Sequence, residues 1–207
     1  MNPLHSIKGV WIAGILLSVL LAVVVNLMTG FGVFNLQELP LLRWMHIVAG
    51  IIWVGLLYYF NFVQMPAMAA ATADAEGPGP AAIARYIAPR ALLWFRWAAV
   101  VTWLSGALYL FRTDQFINAF SLGLIGSGPS YYGLTMGLGA WLGTILLINV
   151  WFVIWPNQKK ILGLAKSAAP VDVAKAKRHV MIASRVNAIL SLPMLMFMVA
   201  AKHGVAF

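Results

Sequence analysis

The chain has 207 residues, of which 62% are hydrophobic and 9% are charged. This composition excludes an ordinary soluble domain, because several apolar runs approach the roughly 20 residues that one helix needs to cross a bilayer. The net charge of +9 would suggest nucleic acid in a soluble protein. Here the basic residues gather in particular loops, so we predict an integral membrane protein with no nucleic-acid partner. The absence of cysteine excludes disulfides and thiolate-ligated haem.

Five apolar segments predict an all-α integral membrane protein in which residues 1–207 form one transmembrane bundle. The predicted spans cover about residues 10–27, 41–63, 92–111, 133–155 and 183–201. The first is longer than a signal-peptide core and no small-residue cleavage site follows it, so we expect a retained helix. The fourth contains two overlapping small-xxx-small patterns, which predict close helix packing, at Gly133, Gly137, Gly139 and Gly143. Pro193 predicts a kink in the fifth span.

The distribution of basic residues predicts the orientation. With five spans, 11 of the 14 basic residues fall on the side of the N-terminus: Lys8, Arg85, Arg90, Arg96, Lys159, Lys160, Lys166, Lys175, Lys177, Arg178 and Arg185. The positive-inside rule then places the N-terminus in the cytoplasm and the C-terminus in the periplasm. We therefore predict a multi-pass protein of the bacterial inner membrane.

The second predicted span carries an ionisable side chain, His46, in the sequence LLRWMHIVAGIIWVGLLYYFNFVQMP. Such a residue is costly inside a bilayer and usually faces a partner or a cavity. Gly50 lies one helical turn further on the same face and leaves room for a flat ligand beside the imidazole. Haem b is the cofactor that this arrangement predicts. The alternative is a histidine that hydrogen-bonds a neighbouring helix, with glycines that serve packing.

A second axial ligand requires another histidine at the same depth. The predicted topology places His46 and His203 near the outer surface, and His5 and His179 near the inner surface. His203 is therefore the candidate second ligand, if spans two and five face each other; otherwise it is a terminal residue in the headgroup layer. Arg43 is a candidate partner for a haem propionate. For Arg96 we favour snorkelling to the headgroups over binding a propionate or an anionic lipid.

The chain lacks the patterns of soluble enzymes. Its acidic residues all fall in predicted loops or interfaces: Glu38, Asp74, Glu76, Asp114 and Asp172. There is no phosphate-binding glycine loop, metalloprotease histidine pair or nucleophile elbow. Any chemistry is thus expected to come from a cofactor.

Three stretches carry a family resemblance: RWMHIVAGIIWVGLLYYFNFVQMP, NVWFVIWPNQKKI and SRVNAILSLPMLMFMVAAKHG. They resemble helices of the membrane domain of bacterial cytochrome-c-linked urate oxidases (urate hydroxylases), over about half of the chain. More distantly, the first resembles the oxygen-independent protoporphyrinogen oxidase and copper-resistance membrane proteins. The resemblance implies a haem site that uses His46 and His203, beside a periplasmic cytochrome c.

The chain departs from that family pattern at three points. The family domain has about eight spans and a fused cytochrome c domain, whereas this chain has five predicted spans and no C-x-x-C-H motif. Where the family has Ser-Arg-His-Asn, this chain has Val186 in place of the histidine.

Three functions follow as hypotheses. The first is a haem b-binding electron-transfer protein or redox-complex subunit, which works at the outer face with a cytochrome c or quinone partner. The second is a membrane enzyme that oxidises urate or protoporphyrinogen. The third is a haem-free accessory or assembly subunit, held by its glycine faces against a larger membrane complex.

Overall fold

The structure is a computed structural model that describes residues 5–30, 37–125, 130–164 and 169–205, and every element in these ranges is a helix. Among the described residues, five helices are long and apolar enough to cross a membrane. We call them spans one to five, with the bounds Ile7–Thr29, Glu38–Ala73, Ile83–Arg112, Tyr131–Ile161 and Val171–His203. Each predicted span lies inside one of these helices, so the prediction of five long apolar helices is confirmed. Their insertion in a membrane and their orientation stay predictions.

The chain divides into two compact units, Met1–Leu41 and Leu42–Phe207. The first contains span one, a helix with an N-cap in which the Ser6 hydroxyl accepts from the backbone N–H of Gly9 at 3.0 Å. Span one ends at Thr29 and is followed by the C-cap residue Gly30, whose positive φ of 76° suits a residue without a Cβ. The second unit holds the core and all the residues of the site described below.

Three spans contain a π-helical segment within the α-helix: Tyr59–Gln64 in span two, Ile83–Ile87 in span three and Asn149–Ile154 in span four. Each segment ends two residues before a proline, at Pro66, Pro89 and Pro156. Proline has no N–H for the carbonyl four residues earlier and its ring crowds that carbonyl, so a wider turn ahead of it accommodates both defects. The helices therefore continue through these prolines and extend beyond the apolar windows that the sequence shows. Span five likewise continues as one helix through Pro193.

The core of the second unit combines large side chains from its four spans. Trp53, Phe95, Leu146 and Met194 contribute to it from spans two, three, four and five. Between membrane helices such packing stabilises mainly through van der Waals contact, because lipid solvates the same side chains equally well.

The four glycines of span four are buried, but on two different faces. Gly133 and Gly137 pack against the segment that holds the short helix Phe116–Phe120, where a Cβ on Gly137 would overlap the carbonyl oxygen of Ala119. Gly139 and Gly143 pack against span five, since a Cβ on either would lie 3.2 or 3.5 Å from a methionine of that span. The chain itself thus occupies the glycine faces that the accessory-subunit hypothesis assigns to a larger partner.

Candidate functional site: a cavity lined by His46

The imidazole of His46 is held by span three. Its Nδ1 lies 2.8 Å from the backbone carbonyl oxygen of Thr102. Because a carbonyl only accepts, Nδ1 carries the hydrogen and the lone pair of the neutral ring is on Nε2. Gly106 makes this position accessible: a Cβ there would lie 2.7 Å from Nδ1 and 2.8 Å from Cε1 of His46. One turn of span three therefore fixes both the tautomer and the location of the ring.

Spans two and five are neighbours and run antiparallel. Tyr58 pairs with Ser191 at 3.0 Å, and Asn61, further along span two, donates to the hydroxyl of Ser184 at 2.9 Å, earlier in span five. The sequence left open whether these two spans touch, and these hydrogen bonds answer that question.

The same pair sets the relative heights of the two histidines. Twelve residues separate His46 from Tyr58, and twelve separate Ser191 from His203. At 1.5 Å per residue, each histidine lies about 18 Å along its helix from the Tyr58–Ser191 contact, in the same direction. His46 and His203 are therefore at the same level of the bundle.

A cavity of about 710 Å³ opens between spans two, three, four and five. All four residues predicted from the sequence line it: Arg43, His46, Gly50 and His203. The other lining residues are mostly apolar, among them Ile47, Val54, Leu110, Met136, Met194 and Met198. A volume of several hundred Å³ with an apolar wall and a few polar groups is typical of a cofactor or ligand site.

Two glycines of span two leave open wall in this cavity. A Cβ on Gly50 would approach only the methyl group of Thr102, at 3.7 Å, and a Cβ on Gly55 would meet nothing within 4 Å. The backbone of span two is thus exposed to the cavity over more than one helical turn, beside the imidazole of His46. That a flat ligand uses the space at Gly50 stays a prediction.

The end of the cavity at Arg43 and His203, which we call its mouth, is polar and carries positive charge. Arg43, Lys202 and His203 are exposed and lie on its lining. The guanidinium of Arg43 donates to the hydroxyl of Tyr109 and lies 5.1 Å from the centroid of that ring. Tyr132 lines the cavity nearby. An amphiphile with an apolar body and anionic groups at one end would match this distribution.

Arg96 does not belong to the site. Its guanidinium lies 3.8 Å from the ring centroid of Trp155 on span four, a cation–π contact. Arg96 is absent from the lining of the cavity. Of the two roles weighed for this residue, the structure gives no support to binding a propionate in this cavity.

Sequence reasoning missed the residues that hold His46 in place. The carbonyl of Thr102 carries no side-chain signal, and Gly106 reads as one more packing glycine in an apolar run. Tyr109 and Lys202 are typical interfacial residues by pattern. A usable signal was present only for Lys202, which is adjacent to His203.

The described residues contain no group of three or more His, Asp, Glu or Cys side chains that could hold a metal ion. A porphyrin supplies four nitrogen ligands itself and needs only one or two from the protein. A site with one interior imidazole and a second one at its mouth fits that requirement.

Fold and site together define an all-helical protein in which five described helices are long and apolar enough to cross a membrane and a cavity is lined by histidine. The family model described as "Urate oxidase N-terminal" matches residues 33–127 and 129–207, so the chain belongs to that family. This supports the urate oxidase side of the predicted resemblance. No curated protein and no solved structure matches the chain.

Proposed function

We propose that the chain binds haem b in the cavity and acts as a membrane electron carrier. The observation that supports this best is the state of His46, whose Nδ1 is bound to the Thr102 carbonyl at 2.8 Å, which leaves Nε2 as the ligating nitrogen. Metal-bound histidines commonly donate their other ring N–H in this way, which orients the ring and raises its basicity.

The remaining residues would hold the group as follows. His203, at the level of His46, would ligate the iron from span five, and Gly50 and Gly55 would border the flat ring. Arg43 and Lys202 at the mouth would pair with the two propionates. Haem bound in this way supplies one-electron transfer.

The membrane face at which electrons would be exchanged follows from the predicted orientation. If the basic side of the protein is cytoplasmic, the mouth of the cavity is at the periplasmic face of the inner membrane. We propose that a periplasmic cytochrome c, a membrane quinone or a larger redox complex exchanges electrons there.

A second candidate function is oxidation of urate itself, which the family membership favours. Urate is a flat purine anion, and the cationic mouth of the cavity is compatible with it. The two functions differ in whether urate delivers electrons to the bound group.

The test is an absorption spectrum of the detergent-purified protein, oxidised and then reduced with dithionite. We expect the sharp reduced α and Soret bands of a b-type haem, lost in the His46→Ala variant because the interior ligand is gone. His179→Ala is the matched control, since His179 is an exposed histidine outside the cavity, and it should keep the bands. A His46→Ala protein with full haem content would refute the proposal.

The same preparation separates the two candidates. Addition of urate to the oxidised protein should leave the spectrum unchanged if the chain only carries electrons. Reduced bands that appear with urate alone would assign it to urate oxidation instead.

A further inference from the structure

A second polar region lies inside the bundle, beyond the end of the cavity that is opposite its mouth. We call it the junction and define it by Tyr58, Asn61 and Gln64 of span two with Ser184 and Ser191 of span five. Ser191 is fully buried, and Ser184 and Gln64 are only 6% and 7% exposed. Polar groups at such depth are costly in a membrane bundle unless they are paired or serve a function.

Two of the π-helical segments face span five at this region. Asn61, in the first, donates to Ser184. Asn149 begins the π-helical segment of span four and donates to Oδ1 of Asn187 at 2.9 Å. Wide π turns inside α-helices occur frequently at functional sites. Here both present an amide to the same helix.

The junction and the neighbouring wall of the cavity contain polar atoms without a partner among the described residues. They are the Nε1 donor of Trp53 and the Oδ1 and Oε1 acceptors of Asn61 and Gln64, all buried. Exchanging the amide oxygen and nitrogen of Asn61 or Gln64 would replace an unpaired acceptor by an unpaired donor, so the number of unpaired atoms would stay the same. Buried polar atoms of this kind are normally satisfied by a bound molecule, most often water.

The junction is joined to the cavity through Tyr58. This residue lines the cavity, and its hydroxyl donates to Ser191, whose own hydroxyl donates to the carbonyl of Ala188 at 2.7 Å. Trp53 lies on the same cavity wall. The unpaired donor and acceptors are thus distributed along span two on both sides of Tyr58.

We propose that the junction binds water molecules, which pair with these atoms and join the cavity to the opposite half of the bundle by hydrogen bonds. Water is the ligand that fits, because it satisfies an indole N–H and amide oxygens alike, whereas a cation satisfies only the oxygens. The water site stands without the proposed function.

A role for this water in proton transfer rests on the proposed function. A row of waters passes a proton by accepting at one end and donating at the other, with no net chemical change in the row. A proton that follows an electron into an apolar cavity cancels a charge that burial makes costly.

Radiolytic hydroxyl labelling tests the water site on the full chain in lipid nanodiscs, with or without a cofactor. Buried water generates radicals in place, so Tyr58 and Met68, whose sulfur lies 4.0 Å from Nε2 of Gln64, should be labelled rapidly. Phe60, in the apolar core, is the internal dry reference. We expect Asn61→Leu to lower labelling of Tyr58 and Met68 at least about fivefold, because it removes an acceptor and fills the space with methyl groups.

The matched control is Asn157→Leu, since the Asn157 amide bonds only the carbonyl of Val153 in its own helix among the described contacts, at 2.8 Å. It should leave labelling unchanged. Gln64→Met repeats the test if the first variant fails to fold. Tyr58 labelled no faster than Phe60, or labelling unaffected by both junction variants, would overturn the proposal. A sodium site would also overturn it. In that case sodium, but not choline, would raise the melting temperature of the unmodified protein, and sodium would not raise that of Asn61→Leu, because the amide oxygens would bind a monovalent cation.

Discussion

The imidazole of His46 is oriented by backbone atoms. Its Nδ1 bonds the Thr102 carbonyl, and its ring occupies the space that Gly106 leaves open. A backbone carbonyl neither titrates nor donates, so this contact specifies one tautomer of the neutral ring more reliably than a side-chain partner would. The Thr102 hydroxyl is separately engaged with the carbonyl of Ala98 at 2.7 Å. The orientation of the His46 ring is thus determined by span three.

Replacing Gly106 with alanine should displace the His46 ring. The new Cβ would lie 2.7 Å from Nδ1, so the 2.8 Å bond to Thr102 could not persist. We expect a loss of at least half of the bound haem and a destabilisation of about 1–3 kcal/mol, typical of overpacking. The measurements are the haem-to-protein ratio and the thermal unfolding midpoint. Gly14→Ala is the control, because a Cβ there meets nothing within 4 Å; equal haem content in the two variants would contradict the assignment.

The sequence identified His46 as a candidate ligand but did not predict which residues hold its ring in place. His46 stands out because an ionisable residue in an apolar run must have a reason to be there. Every residue has a carbonyl and glycine is common in membrane helices, so nothing in the sequence distinguishes Thr102 or Gly106. Their roles arise only when spans two and three pack together.

The helices are longer than their apolar cores, and their prolines explain how. The predicted second span covers about residues 41–63, whereas the helix continues through Pro66 to Ala73, although proline disrupts a regular α-helix. The structure instead widens the preceding turn into a π segment, and the same solution recurs before Pro89 and Pro156. Hydropathy predicts which residues cross an apolar layer, whereas this backbone adjustment depends on local hydrogen bonding that hydropathy does not register.

The glycines of span four differ in how tightly they are packed, which predicts different tolerance to alanine. Gly137→Ala should destabilise the protein by about 1–3 kcal/mol, because its Cβ would overlap the carbonyl oxygen of Ala119, and a backbone atom cannot move aside cheaply. Gly143→Ala, in the same helix, would place its Cβ at 3.5 Å from the sulfur of Met194, an ordinary contact. Thermal unfolding in detergent should therefore separate the two variants. Equal midpoints would show that the short helix moves away without cost.

Within the second unit, the cavity and most of the described basic residues lie towards opposite ends of the spans. The mouth of the cavity is near the beginning of span two and the end of span five. The sequence predicts that 11 of the 14 basic residues lie on the other side. Arg43 and Lys202 are two of the three exceptions, and both line the cavity. Two of the three basic residues that are predicted on the less basic side thus lie at the candidate site, which suits the binding of an anionic group.

The orientation can be measured directly, because the chain has no cysteine. Val205→Cys follows span five and Glu76→Cys follows span two, both at exposed positions with three spans between them. We expect a membrane-impermeant maleimide to label Val205→Cys in intact spheroplasts and Glu76→Cys only after permeabilisation, because the positive-inside rule places the loop after span two in the cytoplasm. The reverse pattern would move the mouth of the cavity to the cytoplasmic face and exclude a periplasmic cytochrome c as the partner. Labelling of both in intact spheroplasts would contradict an odd number of crossings between them.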